Sequence, residues 1–463
     1  MFLFKSGPKP LFFIFACVLI TFFSAFLWLG CTQKEENVFM EEMAMPTLNP
    51  TVKGLFPTNP PPPSGCDTTL LPVVMVHGFL AAGDTYAPLL MRFHSNGYCL
   101  NRLFAFDWNS ISGTNTVAAL DAFIDDVLAE TGATQVNLMG HSAGGGTCYE
   151  YLADATHAAK VAHYVHIGSS IQTGPAGPSG SVSTMNIWSP GDLIAGGGDI
   201  TGAINVMNEA QDHYQVATSK ESFGAIYEFF NGVAPFTVDI LEEEIVCIAG
   251  KSLTFGENQP VVNGTVEIYA LDPATGNRLS AVPDYTFTTD ASGNWGPLNL
   301  PALTPFEFLI IPTSGRKVHY FRQGFHHSNS LVYLRALPPP GSIVGILLGS
   351  LPNSSSQSVL NLFSASQAIV FQRDSLTVDG LNLATAQYAD PAKTAITYFL
   401  YDNGNSQTDG IPVGLFGNFP FMNGVDMYFS PATLTPVPIY FNGAILNVRK
   451  IPSDEGVVVA VMD

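Results

Sequence analysis

The chain has 463 residues, 46% of them hydrophobic and only 12% charged, which is enough apolar content for more than one core and a length that points to two or three domains. Lys and Arg number 18 against 38 Asp and Glu, a formal charge of −20 that argues against nucleic acid as a partner.

Lys5 and Lys9 precede an uncharged run from Leu11 to Leu29, which ends in Gly30-Cys31. This is the layout of an export signal, with an uncleaved membrane anchor as the other reading of a run this long. A small residue before Cys31, then polar Thr32 to Asn37, resembles a bacterial lipoprotein signal. That resemblance implies residues 1–31 as signal, a lipid anchor on Cys31, and a chain exported to the cell envelope or secreted. Residues 32–65 end in a proline-rich stretch, Pro57 to Gly65, that favours extended polyproline geometry and reads as a tether. Cys66, Cys99, Cys148 and Cys247 remain for the exported part, where oxidising conditions permit disulfides. Cys66 and Cys99 each lie just before a candidate strand, so neighbouring strands can bring them together as a bridge.

From residue 66 to about 237 apolar strands alternate with helical patterns. Strands are expected at Val73 to Val76, Leu103 to Phe106, Val136 to Met139, Val161 to Ile167, Asn186 to Trp188 and Ile204 to Met207. Helices are expected at Val117 to Leu128, from Ser142 toward Ala159, and at Glu221 to Phe230. Such alternation predicts an α/β domain, a mostly parallel sheet with helices on both faces, whose ligands bind beyond the carboxyl ends of the strands. Residues 238–463 change character: runs such as Gly264 to Tyr269, Tyr285 to Thr289, Phe306 to Ile310, Ala395 to Leu400 and Val457 to Val459 alternate with turn residues. They predict an all-β sandwich or barrel region with no helix standing out.

The chemistry concentrates in Gly140-His141-Ser142-Ala143-Gly144, which lies between an apolar strand and a small-residue segment that can open a helix. A serine hydroxyl needs a base and an orienting carboxylate to act as a nucleophile. After Ser142 the strand-turn segment ending Ser189-Pro190-Gly191-Asp192 offers Asp192 as the acid, with Asp199 as runner-up, and His213 follows the last strand as the base. His166 lies within a strand run and reads as a core histidine, and His141 reads as structural. The backbone N–H groups of Phe79, after His77-Gly78, and of Ala143 are placed to form an oxyanion hole, with His77 holding the loop. Asp402 to Asp409 carries enough oxygen-bearing side chains to hold Ca²⁺, but a plain polar turn is the preferred reading; neither metal nor cofactor is expected for the chemistry.

His77-Gly78-Phe79, Gly140 to Gly144, Asp192 and His213 stand in the order that resembles the α/β-hydrolase superfamily in its lipase and esterase members, and the long β-rich tail resembles lipases that carry a C-terminal β-barrel lipid-binding domain. The resemblance implies hydrolysis of lipid or other acyl esters by a serine carboxylic-ester hydrolase, with the tail presenting substrate. A polyhydroxyalkanoate-type depolymerase is the alternative enzyme, and a surface binding lipoprotein with a vestigial hydrolase is the non-enzymatic one. Only Trp108 to Asn115 separate a strand from the next helix, leaving no room there for the helical lid of many lipases; the loops Gln172 to Ser183 and Ile194 to Gly202 are expected to rim the pocket instead.

Overall fold

The structure, a computed structural model, describes residues 65–462 apart from position 415. The signal, Cys31 and all but the last residue of the tether lie outside the described residues. Among the described residues, no helix is long and apolar enough to cross a membrane.

The N-terminal part is built on six parallel strands: β1 (Val73–Val76), β2 (Leu103–Phe106), β3 (Val136–His141), β4 (Val161–Ile167), β5 (Ser183–Trp188) and β6 (Ile204–Met207), in the order β2-β1-β3-β4-β5-β6. Because side chains alternate along a strand, β1 to β4 each feed two cores, whereas the edge strand β6 leaves Ile204 and Met207 exposed. Val73 and Met75 pack with α1 (Ala87–Ser95) and α6 (Lys220–Asn231) on one face, while Val74 and Val76 pack with α2 (Thr116–Thr131) and α3 (Ala143–Leu152) on the other. The expected single helix after Ser142 is broken: Asp154 accepts hydrogen bonds from the N–H groups of Thr156 and His157 and caps a separate turn, α4 (Ala155–Ala158). A further short turn, α5 (Gln215–Thr218), follows β6.

Cys66 and Cys99 are bridged, with 33 residues of sequence separation. Closing a loop of this size removes roughly 3–4 kcal/mol of chain entropy from the unfolded state. Reducing the bridge is therefore expected to lower Tm by several degrees, readable by thermal melts with and without dithiothreitol; an unchanged Tm would mean that the bridge adds nothing.

The C-terminal part is stacked sheets. Its eight-stranded sheet carries Val457–Met462 near the middle, flanked in parallel by Val318–Arg322 and Leu360–Ser364. Val459 and Val461 point into a core shared with the three-stranded sheet of Ile245–Thr254, Asn294–Pro301 and Leu334–Ala336. Val458, Ala460 and Met462 point the other way, into a core shared with a four-stranded sheet that includes Val437–Phe441 and Ala444–Val448. One helix, Ile343–Leu348, interrupts this β region against expectation; its apolar run is too short to be told from a strand by period alone.

The two parts share apolar packing. Leu253, Leu331 and Tyr333 belong to the same core cluster as α1 and α6.

Candidate active site

β3 passes directly into α3, and the turn between them forces Ser142 to φ 54°, ψ −124°, a region that a residue with a side chain rarely occupies. The flanking glycines follow from crowding. A Cβ on Gly144 would lie 2.3 Å from the Val76 carbonyl oxygen, and one on Gly140 would lie 2.7 Å from that of Gly144. The strain is held by the Ser142 N–H donating to Ile167 O at 3.0 Å and by Ser169 Oγ donating to Ser142 O at 2.7 Å. Neither bond uses the Ser142 hydroxyl, which is left for the pocket that Ser142 lines.

Asp192 and His213 meet beneath that pocket. His213 Nδ1–H donates to Asp192 Oδ2 at 2.8 Å, and both side chains are almost wholly buried. The other carboxylate oxygen accepts the N–H groups of Ile194 and Ala195, each at 2.9 Å, which fixes the carboxylate's orientation. Burial pushes the Asp192 carboxyl up, but the His213 hydrogen bond and charge and these two N–H groups outweigh it and hold it below the usual carboxylate range. His213 and Ser142 line one pocket without a direct hydrogen bond between them, a contact that often closes only when substrate binds. Asp199 is elsewhere, accepting the Trp188 indole N–H at 3.0 Å.

His141, next to Ser142, donates from Nε2 to the backbone oxygen of His213 at 2.7 Å and so ties the two loops together. Burial and the neighbouring His213 lower its pKa to about 3, so it stays neutral. His166 is hydrogen-bonded at both nitrogens, to Tyr164 Oη at 2.9 Å and Ser170 O at 3.0 Å, as a core histidine.

Phe79 lines this pocket, and Ala143 opens α3 directly after Ser142. Among the described residues, neither backbone N–H is engaged in a hydrogen bond. The loop that carries Phe79 is held by His77, which donates from Nδ1 to Gly78 O at 2.8 Å and accepts at Nε2 from the Trp108 N–H and from Asn258 Nδ2. A Cβ on Gly78 would come within 2.9 Å of the Ser142 Cβ, so the loop passes the serine as closely as backbone allows.

The pocket's outer wall is not where the sequence suggests. The loops at 172–183 and 194–202 do not line it; Phe255, Arg335, Phe363, Ile396, Phe421 and Met422 of the C-terminal part do. Phe421 stacks on the His213 ring, with centroids 5.8 Å apart. Its backbone sits at φ 69°, unusual for an aromatic residue, and is pinned where its carbonyl accepts the N–H groups of Ile396 and Thr397 and its own N–H donates to Lys393 O.

Three ion pairs tie this wall to the loops around Ser142, each with its acid on the N-terminal part and its base on the C-terminal part. Asp107 pairs with Lys251 at 2.6 Å and also accepts from Tyr333; Asp84 pairs with Arg335; Asp212, adjacent to His213, pairs with Arg373 at 2.7 Å. Asp107 also accepts the Gly83 N–H, and Asp212 the N–H groups of Tyr214 and Gln215, so the acids shape the loops as well as the interface. Pairs buried this well are costly to break from one side.

No local signal in the sequence marks Phe421, Arg335 or Arg373, because each reaches the site across more than 120 residues of chain. The Asp402 to Asp409 segment is an internally bonded turn: Asp402 accepts the N–H groups of Gly404 and Gln407, and Asn405 donates to Asp409.

A parallel sheet with helices on both faces and a serine on a strained strand-to-helix turn define the class as α/β-hydrolase. Residues 72–190 match the family model described as alpha/beta hydrolase fold, and residues 244–339 match that of the lipase C-terminal domain. The chain therefore joins an alpha/beta hydrolase domain to a lipase C-terminal domain, the make-up of a lipase/esterase-type hydrolase. Among solved structures it is similar to the Bacillus licheniformis lipase BlEst2 in mature form, at 13% identity over 36% of this chain and 95% of that one, with a TM-score of 0.30. Two others are the Bacillus subtilis carboxylesterase CesB, at 13% identity over 36% and 86% with a TM-score of 0.28, and the Rhodococcus esterase RhEst1, at 15% identity over 37% and 94% with a TM-score of 0.29.

Proposed function

We propose that the protein is a serine carboxylic-ester hydrolase acting on acyl esters of lipid character. The observation that carries this reading is Ser142, strained above a pocket it shares with a histidine whose Nδ1–H is held at 2.8 Å by a buried carboxylate. Ser142 Oγ attacks the ester carbonyl while His213 Nε2 takes its proton. Asp192 holds the imidazole and offsets its positive charge. The N–H groups of Phe79 and Ala143 meet the charge that develops on the carbonyl oxygen. His213 then returns the proton to the departing alcohol, and a water, activated by the same imidazole, releases the acid. The mostly apolar lining, with Phe255, Phe363, Ile396, Phe421 and Met422, suits an acyl chain and supports the choice of lipid-like esters.

A chain-length series of p-nitrophenyl esters, followed by emulsified triglyceride, tests the reading. Cleavage with a preference among acyl lengths is expected; no turnover of any ester would overturn it. On the same reading, Phe421→Ala widens the pocket and frees one face of His213. It is expected to lower kcat/KM on the preferred ester by about 10-fold or more and to move the optimum toward bulkier acyl groups. An unchanged profile across the series would remove Phe421 from the acyl wall.

We also propose export and a lipid anchor on Cys31, a reading supported by the Cys66–Cys99 bridge, which suits an oxidising compartment. Metabolic labelling with radioactive palmitate is expected to mark the full chain and to fail in Cys31→Ala; no label in either removes the anchor.

A further inference from the structure

At the end of the N-terminal sheet remote from Ser142, side chains from three distant segments converge. In a parallel sheet the connecting helices run back from the ligand end, so the last turn of α1 places His94 on the far side of the sheet from the pocket. Glu243 comes from the segment between α6 and the first strand of the C-terminal part, and His327 from the loop after Val318–Arg322. His94 Nδ1 lies 2.8 Å from His327 Nε2 and 3.8 Å from Glu243 Oε1, and one ligating atom from each residue lies within 4.8 Å of the other two.

The surroundings orient these atoms. His327 Nδ1–H donates to Leu241 O at 2.6 Å, which turns the Nε2 lone pair toward the cluster. The Ser328 N–H holds Glu243 Oε2 and leaves Oε1 facing His94. His327 is buried, and about a quarter of His94 and of Glu243 is exposed, so the cluster is open to solvent on one side.

We propose that His94, Glu243 and His327 form a binding site for one divalent metal ion of the zinc class, which staples α1 to the C-terminal part. Two imidazoles and one carboxylate suit a borderline ion, whereas Ca²⁺ and Mg²⁺ prefer all-oxygen sites. Donors about 2.0–2.2 Å from a tetrahedral ion sit roughly 3.4 Å apart. The two histidine nitrogens must therefore part by about half an ångström, while the carboxylate closes by about as much on His94 and by up to about 1.4 Å on His327, a movement that rotation of the long Glu243 side chain can supply. On binding, His94 changes tautomer: its proton leaves Nδ1, which takes the metal, and Nε2 is protonated from solvent. Water fills the fourth position. The backbone carbonyl on His327 and the backbone N–H on Glu243 are the outer contacts that such ligands ordinarily have.

Isothermal titration of the chelator-treated full chain with Zn²⁺, paired with thermal melts, tests the site. The expected result is one saturable ion per chain and a Tm raised by about 3–5 °C at saturation. Glu243→Gln and His94→Ala, with melts in chelator confirming that each folds, are expected to weaken Zn²⁺ binding at least 10-fold and lose that rise. Ester turnover is expected to be the same with and without Zn²⁺. No saturable binding, equal affinity in both variants and the parent, or tighter binding of Ca²⁺ than of Zn²⁺ would overturn the proposal.

Discussion

Ser142→Ala is expected to lower kcat for ester cleavage by about 10⁴-fold or more, because the nucleophile is lost and only substrate binding and the oxyanion donors remain to assist water. Stability is expected to stay near that of the parent. The strained backbone at φ 54° is held through the Ser142 N–H and C=O, not through the hydroxyl, and alanine adds no atom to the turn. Steady-state kinetics on the preferred ester, with a thermal melt of the same sample, separates the two effects. A loss below 10-fold with an intact fold would place the nucleophile elsewhere.

Asp192→Asn is expected to cost about 10³–10⁴-fold in kcat, through geometry rather than through a lost contact. The Ile194 and Ala195 N–H groups claim one oxygen of residue 192, so an asparagine is expected to turn its carbonyl toward them and its NH₂ toward His213. The imidazole would then accept at Nδ1 and carry its proton on Nε2, where it cannot take one from Ser142. Asp199→Asn is the control: its carboxylate serves the half-buried Trp188 indole, and activity within about two-fold of the parent is expected. If Asp199→Asn lost activity and Asp192→Asn kept it, the assignment of the acid would be reversed.

Much of this site is written locally in the chain. Short apolar runs bounded by turn residues mark all six strands of the parallel sheet, and Gly140 and Gly144 flank Ser142 because neighbouring backbone leaves no room for a Cβ. Asp192 and His213 follow in order because each sits just beyond a strand's carboxyl end. Other features are not local. α1 begins Ala87-Pro88 and runs for only nine residues, too short a stretch for its period to stand out from the flanking apolar sequence. The C-terminal part reads as an appended module, yet it supplies much of the pocket wall and the bases of three ion pairs around it. That role depends on how two folded parts dock, and docking leaves no period or motif in either. Phe421 lies 208 positions beyond His213, and only the tertiary structure brings the two rings together.

Covalent capture addresses the central claim most directly. A fluorophosphonate ester gives its phosphorus to an activated serine oxygen and releases fluoride, and it reacts poorly with a hydroxyl that has no base beside it. Incubation of the protein with this reagent, followed by peptide mass spectrometry, is expected to find one adduct per chain on Ser142, with labelling abolished in His213→Ala. No adduct, or an adduct on a different residue that forms equally well without His213, would contradict the account.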